Sequence, residues 1–562
     1  MTAQSKIKAA SPESRPSTFG AVPRSGYAWP LAGILIVLAL QFSMIFTRAI
    51  NWDEFFHYAL VVDFTRGTVS QPLQTIFVRF FQWLVLLPGT GVDRIIAARI
   101  VMFACEMVTV TAIAKLAARF AGRTTGLLCA LAYLSAGFVL QHGFSFRFDP
   151  VDAALLMSAL GVLGCTRFSG RWVLLFAALG GLAAAYTIKC VLYAPAFAGL
   201  AWLRWSEAED KQRFAMNLAV AIAGSVMLCA ALLLFHSRAF PHLGGSVGSQ
   251  LHESSSQMFA LGPSALYGRY VVKAILTAPV LAGLIVWTPF ALRSASRPSP
   301  QTVALAGLWL PITTLAFYQN TAPYFYVFIL APVAVACSVA LSRLVEAIGS
   351  KVAATLFVAM AAMLWAGEDR VVIDRQRALV SAADAIFPTR VAYFASGAML
   401  AQEDKANPFM TPWGTKMYLR GDLPSMRDTM RQKPVPLLFA GDPIFVDAIQ
   451  RGRDNPNFRP EDITAMRETY LPFWGPYWVA GKVVAATEKD FPKNILVPGP
   501  YSLTGAAIEV DGHLVRPGEI VNLDRGVHRF TAVDKEPARL WWGEHLSAPD
   551  QPPPTRPYKV AF

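Results

Sequence analysis

The chain has 562 residues, of which 54% are hydrophobic and only 15% charged, with a formal net charge of +13. Soluble proteins carry about 25% charged residues, so this composition excludes an ordinary soluble domain and points to a chain largely adapted to lipid. The positive balance does not indicate nucleic acid as a partner, because many Lys and Arg lie in short loops between apolar segments, where they set membrane orientation and meet anionic headgroups. All six cysteines precede residue 338, so disulfides cannot staple the C-terminal part, and no spaced Cys/His set suggests a thiolate-bound metal.

In chain order, residues 1–28 are rich in Ser, Pro, Ala and basic residues and read as a disordered cytoplasmic tail. A first apolar run from Trp29 to Phe46 reads as a retained membrane span. Further runs begin near Ile95, Thr125, Val151, Trp172, Val191, Phe214, Tyr270, Val303, Tyr324 and Val352, about eleven crossings in all within residues 29–366. Arg119 and Arg123, Arg167 and Arg171, Arg204, Lys211 and Arg213, Arg293 and Arg297, and Arg343 with Lys351 mark one set of loops as cytoplasmic. The other set (48–94, 141–150, the turn at Lys189, 236–268 and 319–323) is expected outside, together with residues 367–562. That last region reads as a mixed α/β domain. It has a buried strand and turn at 434–442, a helix over 461–470, and β-rich structure from about 494, with an Asp511-Gly512 hairpin.

The outside loops hold the chemistry. The first opens Asn51-Trp-Asp-Glu-Phe-Phe-His57, with Asp53 and Glu54 adjacent at the membrane boundary among aromatics. In a helix, His57 lies one turn from both. A carboxylate pair so placed suits general base work, while the plainer alternative is helix capping. Asp53, Glu54 and His57 also leave a divalent ion open as a ligand, with no spacing that demands one. The second loop carries Phe146-Arg-Phe-Asp-Pro150: Arg147 suits a phosphate and Asp149 acceptor hydroxyls, or the two simply pair. Lys189 is the lone charge in about thirty residues, placed to meet a lipid phosphate or to snorkel. The 236–268 loop, with Gly244-Gly245, Gly248 and Ser254–Ser256, suits a lid that ends at a further phosphate candidate, Arg269. The aromatics from Tyr318 to Tyr326 read better as an interface belt than as a sugar platform. No Walker loop, dinucleotide fingerprint or serine nucleophile elbow is present in a suitable context.

Trp52-Asp-Glu-x-x-His57, Phe146-Arg-Phe-Asp-Pro150, Thr187-Ile-Lys-Cys190 and Ala322-Pro-Tyr-Phe-Tyr326, in this order and on one side, resemble the GT-C superfamily of membrane glycosyltransferases. Within it the chain looks like the group of dolichyl-phosphate-mannose-protein mannosyltransferases and aminoarabinose–lipid A transferases, over roughly residues 30–345. The resemblance implies a polyprenyl-phosphate sugar as donor and inverting transfer. It makes Asp53 the catalytic base, has Glu54 orient the acceptor or assist in catalysis, and gives Arg147 and Lys189 to the donor phosphate, with Arg269 a further candidate; Asp149 and His57 are the candidates for orienting the acceptor. The absence of a long luminal domain between mid-chain spans suits an enzyme of a bacterial inner membrane. Its acceptor would then be lipid A, lipopolysaccharide or another envelope glycan on the periplasmic face. A protein O-mannosyltransferase-like enzyme and a transporter or lipid flippase are the alternatives.

Overall fold

The computed structural model describes residues 26–69, 73, 75–240, 259, 262, 267–293, 299–401, 403–407, 410, 412–452 and 455–559. The N-terminal tail expectation and the Gly244–Ser256 part of the expected lid lie outside these residues. The fold is a helical bundle followed by a β-rich C-terminal region.

Helix α1 (Ala28–Thr47) leads through a short corner into α2 (Trp52–Arg66). The side chain of Asn51 accepts from the Glu54 amide at 3.0 Å and the Glu54 carboxylate accepts from the Asn51 amide at 3.2 Å, a reciprocal cap that fixes where α2 begins. A short α3 (Phe77–Phe80) precedes α4 (Gly91–Leu134), 44 residues long. Gly122, at φ +81°, breaks α4 into two arms. A Cβ on Gly126 would meet Ala118 and the carbonyl of Ala114, residues that a straight helix would hold about 12 and 18 Å away along its axis. The arms therefore fold back on each other, which separates the stretches expected near Ile95 and Thr125.

Then come α5 (Gly137–His142), α6 (Phe148–Cys165), α7 (Arg171–Tyr186), a 3₁₀ turn (Ile188–Tyr193), α8 (Ala194–Glu207) and α9 (Lys211–Ser237). They are followed by α10 (Gly268–Thr277), α11 (Pro279–Leu292), α12 (Pro300–Trp309), α13 (Phe325–Ala336), α14 (Ser338–Ile348) and α15 (Ser350–Ala366). Every stretch expected as a crossing falls on helix. Among the described residues, α1, α4, α6 and α9 are long and apolar enough to cross a membrane by themselves, and up to six spans result if the bent pairs α10–α11 (104°) and α13–α14 (66°) each count as one. The remaining helices are shorter than a full crossing requires.

Beyond α16 (Val372–Ile386), the chain forms a mixed sheet in the order β10-β7-β12-β5-β3-β1-β2, with β4 also paired to β5. Strands β1 (Ala392–Ala395), β2 (Asp404–Lys405) and β3 (Leu437–Phe439) are mutually parallel. Helices α17 (Pro412–Arg420) and α18 (Met426–Gln432) lie between β2 and β3, and α19 (Pro443–Arg451) and α20 (Pro460–Thr469) follow β3. Strands β4 (Tyr470–Trp474), β5 (Tyr477–Val484), β7 (Gly499–Gly505), β10 (Ile520–Leu523) and β12 (Ala538–Trp542) complete this sheet in antiparallel fashion. A second antiparallel sheet, β6-β11-β8-β9, contains β6 (Phe491–Ile495), β8 (Ile508–Val510), β9 (His513–Val515) and β11 (Gly526–Ala532). The β8–β9 turn places Asp511 at φ +52° and Gly512 at +81°, the left-handed pair a tight hairpin needs. β structure dominates from Tyr470 rather than from about 494.

The two parts are joined at the α1–α2 corner. The Gln376 side chain, on α16, accepts from the Ile50 amide at 2.8 Å and donates to the carbonyls of Ile50 (2.8 Å) and Tyr558 (3.0 Å). Arg390 pairs with Asp63 at 2.9 Å and Arg377 with Asp93 at 3.1 Å. Arg48, at the corner itself, pairs with Glu368, which also accepts from Gln141 at 2.6 Å.

Candidate active site

The corner is set by Arg99, a fully buried residue of α4. Its guanidinium donates to the carbonyls of Ile45 (3.2 Å), Arg48 (2.8 Å) and Ala49 (3.0 Å), and forks onto Glu54 at 2.7 and 2.6 Å. These carbonyls sit at the end of α1, where helical partners run out, so Arg99 satisfies groups that would otherwise be buried and unpaired. Glu54 also accepts from the Phe146 amide at 2.9 Å. One carboxylate thus ties the start of α2 to the segment that carries Arg147. Glu54 is fully buried and saturated, so the expected acceptor contact gives way to a positioning role.

Asp53, the next residue along α2, keeps 22% of its side chain exposed and pairs with Arg147. Arg147 precedes α6 in extended conformation. Its Nε lies 3.4 Å from Asp149, and its guanidinium lies 3.2 Å from the centre of the Tyr324 ring. Asp149, in the first turn of α6 and buried, accepts from Lys189 Nζ at 2.7 Å. The Lys189 ammonium is 5.8 Å from the rings of both Tyr324 and Phe325. Two carboxylates and two cations from α2, the start of α6 and the 3₁₀ turn after α7 therefore alternate along one chain of contacts: Asp53, Arg147, Asp149, Lys189. An aromatic wall from the start of α13 backs it.

This geometry corrects several sequence expectations. Lys189 is buried and bound to Asp149 and does not snorkel, because Asp149 offers it a nearer countercharge. Asp149 spends its oxygens on the two cations. Tyr318 and Tyr324 are buried, and Tyr318 stacks on Phe325 at 4.8 Å, so this run is packing and site wall and not a lipid-facing belt. His57 is buried, bonds the Asp53 carbonyl through Nδ1 at 2.5 Å, and has its ring 5.3 Å from that of Phe77 and 4.5 Å from that of Phe148. With Glu54 committed to Arg99, the set Asp53, Glu54 and His57 does not converge, and among the described residues no group of three such side chains could hold a metal ion. Arg269, exposed at the start of α10, donates to the Tyr270 hydroxyl at 2.9 Å and stands outside the ion-pair chain. The sequence reading passed over Arg99, although a charge inside an apolar run was the signal for it.

The fold is similar to that of solved structures at low sequence identity. In particular, it matches ArnT from Cupriavidus metallidurans bound to undecaprenyl phosphate, with a TM-score of 0.53 at 11% identity over 80% of this chain and 97% of that one. The apo state of the same ArnT matches with a TM-score of 0.50 at 11% identity and the same coverage. The Archaeoglobus fulgidus oligosaccharyltransferase matches at 0.48 and 12% identity, over 81% of this chain and 73% of that chain. No family model matches the sequence, and no curated protein matches it. The likeness is one of fold.

Proposed function

We propose that this chain is an inverting glycosyltransferase of a bacterial inner membrane. It would move a sugar from a polyprenyl-phosphate donor to an envelope acceptor, lipid A, lipopolysaccharide or another glycan, on the periplasmic face. The observation that carries this reading is the chain of contacts Asp53–Arg147–Asp149–Lys189, drawn from three distant segments into one place. A structural ion-pair network has no need of a partly exposed carboxylate at its end, whereas a transferase needs a base that substrate can reach.

The donor phosphate is the ligand that two adjacent cations accept. When its anionic oxygens take up the Arg147 guanidinium, Asp53 loses its countercharge and becomes free to accept a proton. Base activity is thereby coupled to the presence of donor. Asp53 then takes the proton of the acceptor hydroxyl, and that oxygen bonds the anomeric carbon on the face opposite the phosphate. The bond between the anomeric carbon and the phosphate oxygen breaks, its electron pair leaving with polyprenyl phosphate. The phosphate gains one negative charge, which the buried cations Arg147 and Lys189 meet. Asp149 holds both cations in place throughout. Arg99 and Glu54 hold the start of α2, and with it Asp53, against the segment that carries Arg147.

The test is transfer of radiolabelled sugar from polyprenyl-phosphate donors to an envelope-lipid extract in membranes containing the wild-type chain or Asp53→Asn. Transfer by wild type that disappears in a normally inserted Asp53→Asn supports the proposal. Undiminished transfer in Asp53→Asn rejects the base, and no transfer from any donor rejects the enzyme class.

A further inference from the structure

The C-terminal sheet has a feature that the ion-pair cluster does not use. Strand β2 lies on one side of parallel β1 and β3 on the other, so the direction of strand addition reverses between β1 and β3. In open parallel sheets, such a switch point leaves a crevice at the carboxyl ends of the two strands, because the following segments diverge to opposite sides. A shallow, solvent-open cleft lies there. Its floor is Ser396–Met399 after β1 and Phe439, Gly441 and Asp442 after β3, and its far wall is Ile50, Trp52 and Phe55 from the α1–α2 corner. Trp52 is the chain neighbour of Asp53, but adjacent positions on a helix point about 100° apart, and the cleft is lined by the Trp52–Phe55 face of α2 and not by the residues of the ion-pair chain.

The lining is of two kinds. Trp52, Phe55, Met399 and Phe439 give it apolar and aromatic surface, and the rim carries an ion pair between Asp442 and Lys559. The Lys559 ammonium also lies 4.6 Å from the centre of the Trp52 ring. Gln376 holds the Tyr558 carbonyl and both backbone groups of Ile50, so the two walls are fastened to each other by bonds other than the rim pair. Asp442 is the N-cap of α19, bonded to the Ile444 amide at 3.3 Å, which leaves one carboxylate oxygen for Lys559 or a ligand. An aromatic face beside a carboxylate and an ammonium matches a sugar ring, with its CH face and its rim of hydroxyls. An acyl chain would leave the charged rim without use, and a phosphate would find only one cation, already paired.

We infer that the cleft at the β1–β3 switch point is a saccharide subsite that takes a hydroxyl-bearing ring of the acceptor other than the one that reacts at Asp53. The inference rests on the transferase reading and gives the C-terminal region a direct part in acceptor choice. On binding, the ring takes the place of the ammonium at Trp52, and its hydroxyls bridge Asp442 and Lys559.

Saturation-transfer NMR on the full chain in nanodiscs tests this, with methyl β-glucoside and methyl β-glucosaminide as probes. Undecaprenyl phosphate binding, measured on the same samples, reports the donor side and the integrity of the bundle. Saturation of ring protons in wild type is expected to be lost in Met399→Trp, which fills the cleft, and in the Asp442→Asn/Lys559→Met double variant, which keeps its shape. Both variants are expected to bind undecaprenyl phosphate as wild type does. Signal undiminished in both variants would place the sugar elsewhere and overturn the inference, as would no signal from either glycoside in wild type. Loss of undecaprenyl phosphate binding in Arg147→Gln, or its absence in wild type, bears on the transferase reading alone.

Discussion

Arg99 and Arg147 are both buried, and the exposure of their carboxylate partners separates their work. Arg99 and Glu54 are both fully buried, so removing the cation leaves a carboxylate without countercharge and three backbone carbonyls without donors. Arg99→Met is expected to cost about 3–5 kcal/mol, read as a large fall in the melting temperature of the detergent-solubilised chain. Glu54→Gln, which keeps the shape and an acceptor oxygen, is expected to cost less. Arg147 pairs instead with Asp53, which water reaches, and with Asp149, which keeps Lys189 as a countercharge, so Arg147→Gln should lower the melting temperature less than Arg99→Met while transfer collapses. Asp53→Asn should lower transfer by roughly 10²–10⁴-fold, the range of a general base, without loss of undecaprenyl phosphate binding. Equal melting losses in Arg99→Met and Arg147→Gln would contradict this division. Asp53, Arg147 and Lys189 were legible as charges at span ends. Their mutual pairing was not, since 136 positions separate Asp53 from Lys189 and spacing along a chain carries no distance between loops.

Between elements, small residues decide how closely helices approach. Gly199 on α8 faces Gly307 on α12, and a Cβ on Gly307 would meet the Pro195 carbonyl and the Gly199 backbone. Backbones this close gain dispersion contacts that bulkier side chains would prevent. Gly307→Leu is expected to cost about 1–3 kcal/mol through forced separation of α8 and α12. A crosslink between cysteines placed at positions 196 and 304 would then form less readily than on the otherwise unchanged chain. Unchanged crosslinking and melting would show that the pair does not set this contact. The sequence shows 39 glycines and gives no means of telling this pair from the rest. The Tyr318–Tyr326 run was misjudged for a related reason: aromatic clustering is the same whether a segment faces headgroups or packs inside, and neighbouring helices settle which.

At the scale of the whole molecule, the C-terminal region is held to the bundle by polar contacts and carries a titratable group of its own. Glu403 is buried and receives the Val391 amide at 2.6 Å. Burial, with the nearby Asp384 charge adding to it, pushes its carboxyl up from the ordinary 4.5 to about 7. The folded chain then holds this proton where the unfolded chain has released it, so stability falls as pH rises from about 4.5 to about 7 and is steady above. Glu403→Gln should match wild type below pH 4 and exceed it by on the order of 2–3 kcal/mol above pH 7, measured as the difference in melting across pH. A difference that does not vary with pH would refute the linkage.

The membrane character of the chain, the helical bundle and the β-rich end follow from the sequence alone, because apolar run length and turn chemistry are local properties that survive in almost any packing. The Asp511-Gly512 hairpin belongs to this class. The candidate base was legible too, since Asp53 adjoins a span end. What only the tertiary structure decided is which charges meet. It assigned Glu54 to Arg99 and left Asp53 to Arg147, turned Lys189 inward to Asp149, and set the switch point of the C-terminal sheet against Trp52. Each of these is a pairing of distant segments, and Coulomb attraction between buried groups depends on their separation in space, which composition and periodicity do not contain.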